Sequence, residues 1–553
     1  MALLLGPVLR HVDDTTAQVW VQTGHAATVT VLGCAARTFE VQGHHYALVP
    51  VTGLAENSTT PYQVSIDGEQ VWPLPDSQFP PSVIRTRGGD SAHRLRAVFG
   101  SCRYPKTGMA DIDEELGHDA LDCYADRMAG QPMDEWPDML ILLGDQVYAD
   151  ELTPEARRHI AGRRRTHAKR PPEEVVTFGE YEQLYRHSWG DPEIRWIMST
   201  VPTAMIFDDH DIRDDWNTSA VWRAEMNKQS WWRDRIRAGL ASYWVYQHLG
   251  NLSPAELAAD EDYRRLRDID GDIWPALVEL ADRADAEVDA NKGVRFSYRW
   301  DLGRSRFLMM DSRNGRILDS GERMMIGERE FGWLEAQAAD GLDELDHLIL
   351  ASSVPWLLPP VLSDLETVNE IAADRGGWRG KLAESIRQAA DFEHWAAFFK
   401  SFVRLTQMIA RVTTYPGGPA TVTVLSGDVH HSYVARAQLA AAPGATVHQV
   451  VCSPVHNKVP PYVKPAFKIG WSHRLAPVMR RWARRRGASS LPVTWTDVCG
   501  PLFGNTIALL QISGRDVEVV FEQPSASGTL ETVSRVPLTA PDAEQVGPVR
   551  ARR

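Results

Sequence analysis

Four short stretches of the chain gather side chains that can hold cations or move protons, and each follows an apolar run. MLILL leads into GDQVY, which holds Asp145 and Tyr148. A carboxylate at a strand end can bridge two cations, and the glycine before it lets the backbone turn tightly. A tyrosine three residues on can ligate a hard trivalent ion as phenolate. The plainer alternative is a strand-ending Asx turn with a packed tyrosine. VPTAMIF leads into DDHDIRDDWN, with Asp208, Asp209, His210, Asp211, Asp214, Asp215 and Asn217. Its carboxylates repel one another at neutral pH, and behind a buried strand bound cations relieve that crowding better than solvent does.

VTVLSGDVHH offers Asp428, His430 and His431. Asp428 and His430, two residues apart, point to one side of an extended chain and can reach one metal centre. His431 then faces away and reads as structural. AVFGSCRYP places Cys102 at a strand end beside Ser101 and Arg103. A buried unpaired cysteine is usually a small apolar residue, but this position also suits a thiolate ligand.

The elements that must position these groups follow from the same runs. RFLMMDSR, LILASSVP and QVVCSPVH complete a series of continuous apolar stretches from Leu95 onward. Such runs mark strands buried on both faces, and in open α/β sheets ligands bind just past the strand ends. Helical segments are expected at 228–249 and 380–411, an acidic helix-prone insertion at 255–290 and a basic cluster at 464–486. The first ~88 residues alternate apolar and polar, as in AQVWVQT and HYALVPVTGL, and read as a small antiparallel sandwich. The expected division is a β-sandwich at 1–88, a catalytic domain at 89–523 with 82–94 as the linker, and a loosely held tail at 524–553.

The chain has 553 residues, 43% hydrophobic and 24% charged, with a formal net charge of −14. That balance repels nucleic acid and anionic membrane from the bulk surface and suits a protein that collects hard cations. Cys34, Cys102, Cys123, Cys452 and Cys499 are too few and scattered for a disulfide framework. MALLLGPVLRHVDD has no basic n-region, twin arginine or cleavage site, and no stretch approaches a membrane span, so the expected location is cytoplasmic. No internal repeat is present.

GSC, GDQVY, DDHD and GDVH, in that order over about residues 95–523, resemble the alkaline phosphatase D (PhoD-like) phosphatases. These are relatives of purple acid phosphatases within the calcineurin-like metallophosphoesterases. VTGLAENSTTPYQVSIDG, with Leu54 and Tyr62, looks like a fibronectin type III pattern. The resemblance implies an α/β fold, a metallophosphoesterase-type β-sheet sandwich flanked by helices and preceded by a small all-β sandwich. It places Cys102 where purple acid phosphatases use their first aspartate. Asp145 then bridges the metals, and Tyr148 and His430 complete a ferric site. Asp209 stands for the asparagine of a GNH motif and Asp428 for the first histidine of a GHxH motif. Exchanging neutral ligands for carboxylates moves the second site from zinc towards calcium. The implied cofactors are Fe3+ and one or two Ca2+, with Mn2+, Zn2+ or Mg2+ also compatible. The separate histidine ligand of many metallophosphoesterases has no match at SSVP (352–355).

The chemistry so implied is hydrolysis of a small-molecule phosphate ester, by in-line attack of a hydroxide bridging the metals. His210 and Asp211 are the candidate catalytic groups, His210 to protonate the leaving alkoxide or stabilise phosphoryl oxygens. Arg313, after RFLMMDS, is either a phosphate fork or a salt-bridge partner of a nearby aspartate. A phosphodiesterase or phospholipase with the same metals is the alternative enzyme, and a metal-stabilised binding protein the non-enzymatic one. The basic segment 464–486 suits a polyanionic substrate, an anionic lipid, or simply a solvated helix.

Overall fold

Two facing sheets carry the apolar runs. The computed structural model describes residues 2–164, 171, 173–288, 293–440, 444–459 and 463–539. The first sheet runs Thr203–Ile206, Met139–Leu143, Arg94–Gly100, Ile507–Ser513, Asp516–Pro524, Leu530–Pro537. Its first three strands are parallel and the others antiparallel. The second sheet runs Tyr298–Leu302, Ser305–Met310, His347–Ser352, Thr421–Ser426, Thr446–Val451, Ser432–Leu439, Val493–Leu502. Ser305–Met310 through Thr446–Val451 are parallel to one another.

Period-two alternation divides the second sheet between two cores. Phe307, Met309, Ile349 and Ala351 share a core with Val98, Ile141 and Met205 of the first sheet. Leu308, Met310, Leu348 and Leu350 pack outward with Phe402, Leu405 and Ile409 of helix Phe399–Thr413. Both faces are covered, which is why these strands read as unbroken apolar runs.

The N-terminal residues form two four-stranded antiparallel sheets around Val19, Val49, Tyr62 and Val64. This unit is fastened to the rest of the chain. Arg10 is fully buried and donates to the carbonyl of Gln247 at 2.6 Å and to Asn251 Oδ1 at 2.7 Å. The Tyr62 hydroxyl donates to the Ser199 carbonyl at 2.6 Å.

Three expectations are corrected. The linker expected at 82–94 contains strand Val83–Arg85, which pairs with Thr59–Pro61 of the sandwich. The tail expected at 524–553 begins with Leu530–Pro537, an edge strand paired to Asp516–Pro524; residues 540–553 lie outside the described ones. Its polar, exposed residues hide the strand, because only one edge of it is paired. The helical segment expected at 380–411 is two helices, Gly377–Ala389 and Phe399–Thr413. The break carries Glu393 and His394, whose side chains turn into the site described below. The segment at 228–249 is helical over Trp232–Tyr246, and the acidic insertion forms helices Pro254–Ala259, Glu261–Arg267 and Trp274–Asp285, with residues 289–292 outside the described ones.

Candidate metal centre and active site

The parallel strands end at one level, with Gly100 beside Leu142 and Leu142 beside Met205. Past those ends the loops interlock across the sheets. The Gly427 amide donates to the Ser353 carbonyl at 2.9 Å, and the Asp428 amide to Ser101 Oγ at 3.1 Å. Gly144 has φ +104°, and a Cβ there would stand 2.5 Å from that of Asp208, so only glycine lets GDQVY and DDHD approach. Cys102, Asp145, Asp428 and His430 all have left-handed backbone, with φ of 56°, 51°, 69° and 49°. Such residues cost of order 1–3 kcal/mol each and gather where a site needs side chains aimed.

Asp145, Asp208 and Asp209 are buried with ligand oxygens all within 4.8 Å of one another. Burial, with Asp208 and Asp209 alongside, pushes Asp145 well above the usual carboxylate range against the pull of His210. Burial likewise raises Asp208 and Asp209, although Arg313 opposes it. Asp145 Oδ1 and Asp208 Oδ2 are buried with no hydrogen-bond partner. Orphaned carboxylate oxygens converging at this spacing fit a hard cation.

Around this cluster stand the other residues singled out in the sequence. The Tyr148 hydroxyl lies 3.5 Å from Asp145 Oδ2, and its ring centroid lies 4.9 Å from that of His210. Cys102 is fully buried, its Sγ 3.3 Å from Ser101 Oγ and from Ser453 Oγ and 3.7 Å from the Asp428 carbonyl. Burial, with Asp145 and Asp428 nearby, pushes its thiol up. His430 is lowered to about 4 by burial, against Asp428. His431 is structural: its Nδ1 lies 2.8 Å from the Val429 carbonyl and its ring packs on Phe467.

His210 Nδ1 lies 2.9 Å from Asp150 Oδ1. Burial disfavours its charge, but Asp150, Asp209 and Asp145 outweigh burial and hold it protonated well above the ordinary histidine range.

One expected role is corrected, and of the two weighed for Arg313 the phosphate fork is not met. Asp211 does not face the cluster. Its oxygens accept from the amides of Gln146 at 3.2 Å, Val147 at 3.3 Å and Asp208 at 2.9 Å and from Gln247 Nε2 at 3.2 Å, so it braces two loops rather than reacting. Arg313 is fully buried rather than open to a phosphate. Its Nε donates to Asp208, and its Nη atoms lie 2.6 Å from Glu393, 3.3 Å from Asp209 and 3.4 Å from Asp428. A guanidinium facing four carboxylates holds the acidic loops together.

Further residues join the site that motif reading passes over. His394 Nε2 lies 2.9 Å from Asp428 Oδ2 and its Nδ1 2.7 Å from Glu366 Oε1. Asn457 Nδ2 donates to the Tyr148 hydroxyl at 2.8 Å. Asp150 ends the very run that contains GDQVY. At SSVP the side chain that reaches the cluster is Ser353, whose Oγ donates to Asp208 Oδ1 at 2.9 Å.

A family model described as PhoD-like phosphatase matches residues 121–487. The chain belongs to the PhoD-like phosphatase family. It is therefore a phosphoric ester hydrolase. A second family model, a domain of unknown function (DUF7800), matches residues 1–84. Among solved structures, one described as the structure of PhoD shares the fold, with 13% identity and a TM-score of 0.55, over 96% of this chain and 92% of that one. The purple acid phosphatase PPD1 from yellow lupin (Lupinus luteus) seeds matches with 10% identity and a TM-score of 0.46, over 96% of this chain and 73% of that one. No curated protein matches the chain in sequence. The PhoD-like assignment agrees with a buried aspartate cluster able to bind metal at the strand ends.

Proposed function

We propose that this PhoD-like phosphatase hydrolyses small-molecule phosphate monoesters, and diesters with them, at a two-cation centre built on Asp145. The observation that carries the reading is the set of orphaned, buried oxygens of Asp145 and Asp208 beside Asp209, on loops with left-handed backbone. Cys102, Asp145, Tyr148 and His430 would hold one ion. Thiolate and phenolate are anionic donors that favour Fe3+ there. Asp145 would be shared with a second ion held by Asp209 and Asp428, a carboxylate set suited to Ca2+. His394, oriented by Glu366, would complete that second set in the carboxylate–histidine arrangement common at metal sites. Bound cations neutralise the phosphoryl oxygens and acidify the attacking water.

The chain's own groups then complete the displacement. His210, held protonated by Asp150, gives its proton to the leaving oxygen. Asn457 fixes the Tyr148 phenol, and Arg313 keeps Asp208, Asp209 and Asp428 in register. A cavity of ≈ 740 Å3 lies beside Asn457, lined by Lys464, His118 and the ion pair of Lys458 with Glu115, and offers space for an ester's substituent.

The test of this ligand set is spectroscopic. Phenolate bound to ferric iron absorbs visible light, so iron-loaded, oxidised protein should be coloured, and Tyr148→Phe should bleach it. Cys102→Ser should lose iron, because a serine hydroxyl rarely ionises to replace a thiolate. A colourless protein fully active with divalent ions alone would remove the ferric assignment and leave the hydrolase reading in place.

A further inference from the structure

Between Asp428 and Asp497 the chain contains no acidic residue, in a protein whose net charge is −14. That stretch includes helices Val463–Gly470 and Ala476–Arg486. Arg480 of the second is tied to Asp364 at 2.9 Å, and Ala483 is buried against helix Pro360–Asp374. The opposite face presents Val478, Arg481 and Arg485 to solvent, at helical spacing.

Helix Gly377–Ala389 packs on the same helix Pro360–Asp374. Its outward stripe is Trp378, Leu382 and Ile386, each four residues apart and 71%, 54% and 44% exposed. Its one carboxylate, Glu384, turns inward and pairs with Arg387 at 2.6 Å. Arg379 stands over the Trp378 ring at 5.2 Å, and Lys381 is exposed beside it. The apolar stripe and the basic helix meet at one corner, where Arg375 Nη2 donates to the Arg486 carbonyl at 2.9 Å. Asp374, the acidic residue at this corner, is engaged by Ser320 Oγ at 2.8 Å.

We infer that this corner docks the protein on an anionic phospholipid surface. A ridge of tryptophan, leucine and isoleucine suits the boundary between headgroups and acyl chains, and arginines beside it suit anionic headgroups. A nucleic acid or polyphosphate would use the arginines but not the apolar ridge. A second copy would have to present an acidic face to the arginines and an apolar one to the ridge. No described helix is long and apolar enough to cross a membrane, so the contact is peripheral. The inference stands apart from the catalytic reading, since none of these residues belongs to the proposed metal centre.

The experiment is co-sedimentation of the full chain with vesicles of phosphatidylcholine alone or with about one-third phosphatidylserine. Binding is expected to the mixed vesicles, weak to the neutral ones and reversed by high salt. Arg481→Ala with Arg485→Ala should weaken it roughly 25-fold, at about fivefold for each arginine removed. Trp378→Ala with Leu382→Ala should weaken it about tenfold or more through lost apolar burial. Thermal melts check that each double variant is folded, and the two variants probe separate helices, so loss of one fold leaves the other test intact. No binding to mixed vesicles, or binding indifferent to a folded variant, overturns the inference. So does concentration-dependent dimerisation abolished by Trp378→Ala, or polyphosphate binding that depends on the arginines, in the absence of vesicle binding.

Discussion

His394 Nε2 meets Asp428 Oδ2 at 2.9 Å while its Nδ1 meets Glu366 Oε1 at 2.7 Å. Burial disfavours charge on the imidazole, yet Glu366 and Asp428 outweigh it and hold it protonated well above the ordinary range. A histidine so oriented is ready to exchange its proton for a cation. His394→Ala should lower occupancy of the second cation and reduce kcat/KM by roughly 10–100-fold, with partial rescue by excess Ca2+. Metal content and activity measured on the same samples check this; unchanged values for both would take His394 out of the site.

Asp150→Asn tests the proton donor. Asp150 favours charged His210 and is itself lowered to about 2 despite burial, chiefly by that histidine. A general acid works while protonated, so activity falls on the alkaline side as His210 loses its proton. Removing the Asp150 charge lowers the histidine pKa and should move that alkaline limb to lower pH. A pH–rate profile on an aryl phosphate whose alkaline limb stays in place would assign the proton to another group.

Arg313→Ala should destabilise the chelator-treated protein by about 3–5 kcal/mol, because buried carboxylates lose their shared counter-charge. Urea unfolding measures the loss, and added divalent cation should restore part of it. A midpoint within error of wild type would mean that the acidic loops do not depend on this guanidinium.

How much of this is legible in the sequence depends on where each residue sits. Asp145, Asp209 and Asp428 stand within three residues of the ends of strands buried on both faces, and a sharp apolar-to-polar change betrays such ends. His394 lies in a short break between two helices of similar texture, where periodicity alone reads one continuous helix. Its role comes from a fold-level approach of that break to the Asp428 loop. Asp211 shows the converse. It shares the acidic crowding of its neighbours, but backbone direction turns it onto amides. For Arg313 the guanidinium type is visible and its occupants are not, since Glu393 and Asp208 arrive from distant parts of the chain. Strand Leu530–Pro537 reads as a tail because its exposed residues lack the apolar alternation of an inner strand.

Glu330 supplies a pH-dependent term in stability away from the cluster. Burial raises its carboxyl to about 8, with Asp311 adding to the effect and the Ser297 hydroxyl and amide opposing it. The folded pKa lies above the unfolded one, so the unfolded state loses its proton first, and stability falls as pH rises from about 4.5 through about 8. Glu330→Gln keeps the acceptor for the Ser297 amide and removes the titration. It should stabilise the protein at pH 8 by on the order of 3 kcal/mol and flatten the dependence. Urea unfolding at pH 5 and pH 8 decides: parallel curves for wild type and variant would mean that Glu330 titrates normally.

The metal centre on Asp145 is tested most directly by measuring bound metal and aryl-phosphate hydrolysis together, for wild type and Asp145→Asn. The substitution keeps the side chain's shape and removes the charge that bridging two cations requires. Wild type should hold metal and turn over, lose both on chelation and regain both on reloading. Asp145→Asn should stay folded, melting no lower than chelator-treated wild type, while losing metal and at least about a hundredfold in kcat/KM. Hydrolysis that survives full chelation, or a folded Asp145→Asn protein with wild-type metal content and turnover, would contradict it.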